Sequence, residues 1–195
     1  ITTYEYNKLN QRVKTIYPDG TVEQSINNTS GLPIKKIDEN GNETAYGYDT
    51  TRTVPLLNQV KLPNGTTTHY NYDNAGKKVA QIDALARTTS WSYSDKRDLV
   101  AETLPLGQTK TFSYDTYGKK TQINDYANKA QKFIYDSNDK LVRIEYADGN
   151  TITYDYTPSG RLKSQTDTQG TITNSYDSMG RLKSVSYTHL TLPTK

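Results

Sequence analysis

Polar and apolar residues alternate with a period of two through most of the chain, and the alternation is interrupted every ten or so residues by a Gly-bearing turn. Side chains two apart point to one face of a strand, so this pattern predicts short half-buried strands. One aromatic position recurs. Taking it as the anchor of a unit gives Tyr6, Ile26, Tyr48, Tyr72, Tyr93, Tyr114, Tyr135, Tyr156 and Tyr176, spaced 20, 22, 24, 21, 21, 21, 21 and 20 residues apart. The clearest unit reads Thr151-Ile-Thr-Tyr-Asp-Tyr156-Thr-Pro-Ser-Gly160-Arg-Leu162-Lys-Ser, and the next repeats it from Thr171. Fixed-period self-similarity is the mark of a repeat architecture. The chain is read as nine copies over residues 1–184. The second copy is degenerate, with Ile26-Asn27 at the anchor, and the third carries an insertion near residues 50–55.

Each copy holds two strand signals and two turn signals. After the anchor comes Asp-x-x-Gly, as in Asp73 to Gly76, Asp115 to Gly118 and Asp177 to Gly180. Asp caps its own turn by accepting backbone N–H groups, and Gly supplies positive φ. A basic-then-apolar strand follows, as in Arg161-Leu162. A second turn such as Pro18-Asp19-Gly20, Asn40-Gly41 or Asp148-Gly149 closes the copy; Asn-Gly and Asp-Gly are strong hairpin signals. No helical periodicity of useful length is present.

Aromatics also occupy the position two before the anchor. The pairs are Tyr4/Tyr6, Tyr46/Tyr48, Tyr70/Tyr72, Trp91/Tyr93, Phe112/Tyr114, Phe133/Tyr135 and Tyr154/Tyr156, and Tyr176 stands without one. These fifteen of the twenty aromatics define a structural column, expected to form a buried stripe across neighbouring strands. A single hairpin is at best marginally stable in water. Each copy therefore needs its neighbours, and stability becomes a sum of repeat and interface terms.

Composition sharpens this picture. Only 32% of the 195 residues are hydrophobic, yet 17 are tyrosine. Disordered chains are poor in aromatics, so an ordered fold must draw its apolar burial from these rings. Net charge is +3, from 24 basic and 21 acidic residues, and the charges are dispersed. That pattern gives no electrostatic footprint for nucleic acid. No apolar run approaches membrane-spanning length, so no membrane insertion is expected of this segment. The absence of cysteine excludes disulfides and thiolate metal sites. The chain begins at Ile1 without a leader and is read as an internal piece of a longer protein.

The inventory for catalysis is thin. His189 lies outside the repeats, and His69 falls on the strand face opposite the tyrosines, where a surface role outweighs a catalytic one. Asp136-Ser137-Asn138-Asp139 begins like a calcium loop but lacks Gly at the sixth position and Glu at the twelfth. Turn capping accounts for the recurrent Asp residues instead. No catalytic residue, metal or cofactor is expected. The aromatic stripe could bind sugars, but its recurrence at one structural position favours a core role.

Tyr176-Asp-Ser-Met-Gly180-Arg-Leu182 matches the signature Tyr-Asp-x-x-Gly-Arg-Leu in full, and Tyr72-Asp-Asn-Ala-Gly76 matches its first half with Lys77-Lys78 after it. On these residues the chain resembles the Rhs/YD-repeat family, which includes bacterial polymorphic toxins, wall-associated proteins, shell subunits of Tc toxins and teneurins. The resemblance implies an all-β fold in which tandem β-hairpins form an arc of a spiralling β-sheet shell. It implies as partners the remainder of that shell and an enclosed C-terminal toxin domain, and a secreted or cell-surface location. The alternative is a surface-exposed array binding glycans or cell-surface proteins. The family's Asp-Pro-x-Gly cleavage motif is missing, so no self-cleavage is carried over. Residues 185–195 depart from the repeat. They resemble the translated frame of a sequencing adapter and are read as a non-repeat tail from a truncated gene.

Overall fold

A computed structural model describes residues 1–189 and gives eighteen strands and no helix among them. The chain divides into two compact units, residues 1–91 and residues 92 onward. In the first unit the strands are β1 (Thr3–Tyr6), β2 (Arg12–Ile16), β3 (Val22–Asn27), β4 (Pro33–Ile37), β5 (Glu43–Asp49), β6 (Leu56–Lys61), β7 (Thr67–Tyr72) and β8 (Lys78–Ile82), and β9 (Thr88–Tyr93) reaches the boundary. The second unit holds β10 (Leu99–Thr103), β11 (Thr109–Tyr114), β12 (Lys120–Asn124), β13 (Ala130–Tyr135), β14 (Leu141–Tyr146), β15 (Thr151–Tyr156), β16 (Leu162–Thr166), β17 (Gly170–Tyr176) and β18 (Leu182–His189). Within each unit consecutive strands pair antiparallel as a meander. The all-β hairpin architecture is the one expected from the period.

One local geometry builds nearly every connection. In fifteen of the seventeen loops the first residue's N–H donates to the carbonyl four residues on, and the fourth residue's N–H donates back to the first carbonyl. This is the three-residue hairpin loop, a type I turn followed by a residue in the left-handed region. Ten glycines and five other residues, Asn10, Ala86, Arg97, Asn128 and Asp139, hold that fourth position at positive φ. Glycine dominates there because side chains disfavour the conformation. An Asp or Asn first residue caps the turn in nine loops. Asn7, Asn28, Asp38, Asp73, Asp83, Asp115, Asp125, Asp136 and Asp177 each accept two backbone N–H groups through Oδ1.

The turn that closes each copy alternates along the chain. Asp38, Asp83, Asp125 and Asp167 open it in even copies, whereas Tyr17, Leu62, Leu104 and Tyr146 open it in odd copies. Three of the odd copies cap from the third position instead, where Asp19, Asn64 and Asp148 accept an N–H two residues on.

Capping carboxylates carry a pH signature. The Asn42 side-chain amide and N–H hold the Asp38 carboxyl below its ordinary value. The Arg87 guanidinium and N–H do the same to Asp83, and the Arg181 N–H and guanidinium to Asp177. A carboxylate whose folded pKa is depressed stabilises the fold fully above its unfolded pKa and loses that contribution as pH falls through the folded value. The melting midpoint should hold steady from neutrality to about pH 5 and drop below about pH 4. Thermal melts followed by circular dichroism check this; equal midpoints at pH 7 and pH 3 would contradict it.

A second regularity distinguishes the two hairpins of a copy. In eight hairpins that follow an anchor the register slips by one residue just before it. The extra residue, such as Thr121 opposite the Ser113–Tyr114 step or Val142 opposite the Ile134–Tyr135 step, makes a β-bulge. The hairpins that close each copy run without a slip.

This register corrects the anchor of the second copy. The bulge there lies between Ile26 and Asn27, and Asn27 pairs with Pro33 as Tyr135 pairs with Leu141. The turn after it starts at Asn28. Asn27, not Ile26, therefore occupies the anchor position, and the spacing from Tyr6 to Asn27 to Tyr48 becomes an even 21 and 21. Ile26 faces the other side of the sheet and is 46% exposed.

At the other end, Val185 to His189 continue β18 and pair with β17 from Asn174 to Gly170. A β-carbon on Gly170 would collide with the backbone carbonyl of Thr188, so the close approach of β18 needs glycine there. Residues 190–195 lie outside the described residues.

Candidate functional site

The copies are joined by their anchors. A tyrosine hydroxyl of one copy donates to the backbone carbonyl of the residue that pairs, at the bulge, with the anchor of the copy before. Tyr72 reaches Leu57 O at 2.7 Å, Tyr135 reaches Lys120 O at 2.9 Å, Tyr156 reaches Leu141 O at 2.8 Å and Tyr176 reaches Leu162 O at 2.7 Å. Those acceptors pair with Tyr48, Tyr114, Tyr135 and Tyr156 respectively. Tyr48 to Pro33 O follows the same rule at 2.9 Å, Pro33 pairing with Asn27, and Tyr114 donates to Leu99 O, also at 2.9 Å. The bulge and the tyrosine belong together: the extra residue perturbs the ladder, and the next anchor takes the carbonyl beside it.

Burial raises the pKa of Tyr48, Tyr72, Tyr114 and Tyr156.

The basic residue after the left-handed turn residue completes the contact. Lys119 lies 5.2 Å from the centre of the Tyr135 ring, Lys140 5.0 Å from Tyr156 and Arg161 5.8 Å from Tyr176. Each cation sits over the anchor of the following copy, a contribution of about 0.5–1 kcal/mol at an exposed site. Where the following turn carries Asp139 in the glycine position, Lys119 also pairs with that carboxylate, and this bond raises the lysine's pKa. The Tyr-Asp-x-x-Gly-Arg string thus has a physical reading: anchor donor, turn cap, left-handed residue, and a cation for the next ring.

The degenerate second copy replaces this contact with amides. Asn27 donates through Nδ2 to Gln11 Oε1 at 2.9 Å, and Gln11 donates through Nε2 to Gly31 O, also at 2.9 Å. Gln11 occupies the position of Lys119 and Arg161, so it too bridges to the next copy. Asn27 and Gln11 were missed in sequence because neither is aromatic or charged. The Asn28-x-x-Gly31 spacing one residue later was the available signal.

Within each unit the column residues share one sheet face, but their burial is partial. Tyr4 and Tyr6 are 49% and 57% exposed. Tyr46, Tyr48, Tyr70, Tyr72, Trp91, Tyr93, Phe112, Tyr114, Phe133, Tyr135, Tyr154, Tyr156 and Tyr176 are half-buried. Ile144, opposite Phe133 and Ile152, is the one buried hydrophobic side chain among the described residues. The expected buried stripe is thus a half-covered one. A sheet one layer thick leaves the ring faces open, and only a strand flanked on both sides by bulky neighbours is sealed. His69 is exposed, between Gln59 and Ile82 on the adjoining strands.

Comparison with known proteins agrees with this grammar. The RHS Repeat family model matches residues 135–172 and 156–189. No curated protein matches the chain in sequence. Among solved structures, a crystal structure of TcdB2-TccC3-Cdc42 matches with a TM-score of 0.53 and 14% identity, over 94% of this chain and 14% of that one. TcdB2-TccC3 without its hypervariable C-terminal region matches with a TM-score of 0.52 and 14% identity, over 94% and 14%. A Photorhabdus luminescens Tc holotoxin pore carrying a TccC3 mutation matches with a TM-score of 0.53 and 14% identity, over 94% and 13%. The chain thus spans about one-seventh of the length of the chains it matches. Residues 135–189 thus match the RHS repeat, and the chain has the all-β hairpin fold seen in the TcdB2-TccC3 structures.

Proposed function

We propose that the chain is a stretch of wall in a β-sheet shell that encloses and helps deliver a C-terminal toxin domain. The observation that carries this reading is the fold likeness across 94% of the chain to TcdB2-TccC3, together with the RHS repeats of residues 135–189. The anchor contacts supply the physical logic. At six anchors they link one copy to the copy before through a backbone carbonyl, so a wall can extend by adding copies without a specific sequence at the strand faces. Such a wall is structural and performs no catalysis of its own. Its partners are the rest of the shell and the enclosed domain, and the role places it outside the producing cell or on a cell surface.

Limited proteolysis of the full-length protein tests this. The domain after the repeats should resist protease until the shell is opened by denaturant. Rapid digestion of that domain while the repeats stay intact would rule out enclosure and favour an exposed array.

A further inference from the structure

Two Asn-Gly steps occur in the chain, Asn40-Gly41 and Asn64-Gly65. Both fall at the third and fourth positions of a closing turn, with the glycines at φ 79° and 83°. In both the glycine N–H donates to the first residue's carbonyl, Asp38 O at 3.0 Å and Leu62 O at 2.9 Å. The two steps are matched in backbone, and both are exposed. Their side chains are not matched.

The difference follows from where each turn is capped. Asn64 caps its own turn: its Oδ1 accepts the Thr66 N–H at 3.0 Å and the Thr66 hydroxyl at 2.6 Å. Pro63 before it fixes φ at the second position of the turn. In the other turn Asp38 is the cap. Its carboxylate accepts the N–H groups of Asn40 and Asn42 and the Asn42 side-chain amide. The Asn40 side-chain amide is left without a hydrogen bond among the described residues.

An Asn-Gly step lets a backbone nitrogen attack the side-chain amide before it, because glycine puts no β-carbon in the way of a close approach. Hydroxide removes the proton from Gly41 N. That nitrogen forms a bond to Asn40 Cγ, and the Cγ–Nδ2 bond breaks, with ammonia leaving on a proton taken from water. Water then opens the cyclic imide at one of its two carbonyls, giving aspartate or isoaspartate. For Asn40 this needs only a local opening of an exposed turn. Asn64 must also leave both of its bonds to Thr66.

We propose that Asn40 is a site of spontaneous covalent conversion, closing on Gly41 to a succinimide and hydrolysing to aspartate and isoaspartate, while Asn64 is held back by its own cap. The aspartate product keeps the path of the chain. The isoaspartate product runs the backbone through Cβ and Cγ and so lengthens the loop. The Gly41 N–H bond to Asp38 O and the Asp38 N–H bond to Asn42 O hold that loop closed, so the longer form loosens the β4–β5 hairpin. The site is independent of the enclosing role, and either can fail alone.

Ageing the whole folded chain at about pH 8, followed by peptide mapping that separates aspartyl from isoaspartyl forms, tests it. Asn40 should convert about tenfold faster than Asn64, the scale set by two neutral hydrogen bonds. Thr66→Val removes the hydroxyl bond and should narrow that gap by speeding Asn64. Gly41→Asn should abolish conversion at Asn40. Its β-carbon meets nothing within 4 Å, and Asn10 and Asn128 hold the same turn position at positive φ, so the loop is kept. In urea, where neither turn is capped, the two steps of the parent chain should convert at comparable rates. The proposal is overturned if Asn40 keeps its amide, if both steps convert alike in the folded chain, if Gly41→Asn converts as the parent does, or if the difference persists in urea.

Discussion

Ile144→Ala is expected to destabilise the chain by about 2–4 kcal/mol, the range for emptying a buried aliphatic site. Ile144 lies on β14 between Phe133 of β13 and Ile152 of β15, at 8% exposure. No second layer can collapse into the space it would leave. The matched control is Ile26→Ala. Ile26 has the same side chain, sits at 46% exposure on the opposite face, and should change stability by no more than about 0.5 kcal/mol. Urea unfolding followed by circular dichroism compares the two. Equal losses at both positions would show that the aromatic face is not the side from which the sheet draws its apolar stability.

Much of this was legible in the sequence because its signals are local. Strand alternation, the Asp cap and the turn glycine each act within five residues, so their spacing reveals nine copies and their hairpins directly. The anchor of the second copy was not legible in the same way. The second copy has no aromatic at either column position, so Ile26 and Asn27 compete and the larger apolar residue wins on pattern alone, while the bulge that marks the anchor puts its extra residue, Ile34, on the partner strand. The bulge itself leaves no composition signal, since its extra residue varies from Val13 to Asn58 to Lys163. The depth of the column was also overestimated. Aromatic recurrence tells which face a ring occupies but not whether anything covers it, and here only neighbouring strands do. At the far end, the turn that would fall near Tyr187 is missing from the sequence, and β18 runs on to His189. Its pairing with β17 depends on the backbone rather than on side-chain identity, so even an atypical sequence can complete the ladder.

Tyr156→Ala is expected to cost about 3 kcal/mol, the lower end for removing a large aromatic because the ring is half-buried. Three losses combine: the ring's packing, the hydroxyl bond to Leu141 O at 2.8 Å, and the surface under Lys140 at 5.0 Å. Tyr156→Phe isolates the bond and should cost about 1 kcal/mol. A double-mutant cycle with Lys140→Ala isolates the cation contact, with a coupling of about 0.5–1 kcal/mol. All three contacts cross from one copy to the next, so the damage falls on the interface term of the array rather than on the hairpin. Hydrogen exchange should therefore quicken first between β14 and β15, while the β15–β16 hairpin keeps its own ladder. Tyr6 supplies the contrast. It has the anchor's sequence position but is 57% exposed, and no strand precedes β1 among the described residues to offer a carbonyl. Tyr6→Ala should cost less than about 1 kcal/mol. If it proves as damaging as Tyr156→Ala, the anchors act within their own copies, and the joint between copies must be sought in the strand ladder alone.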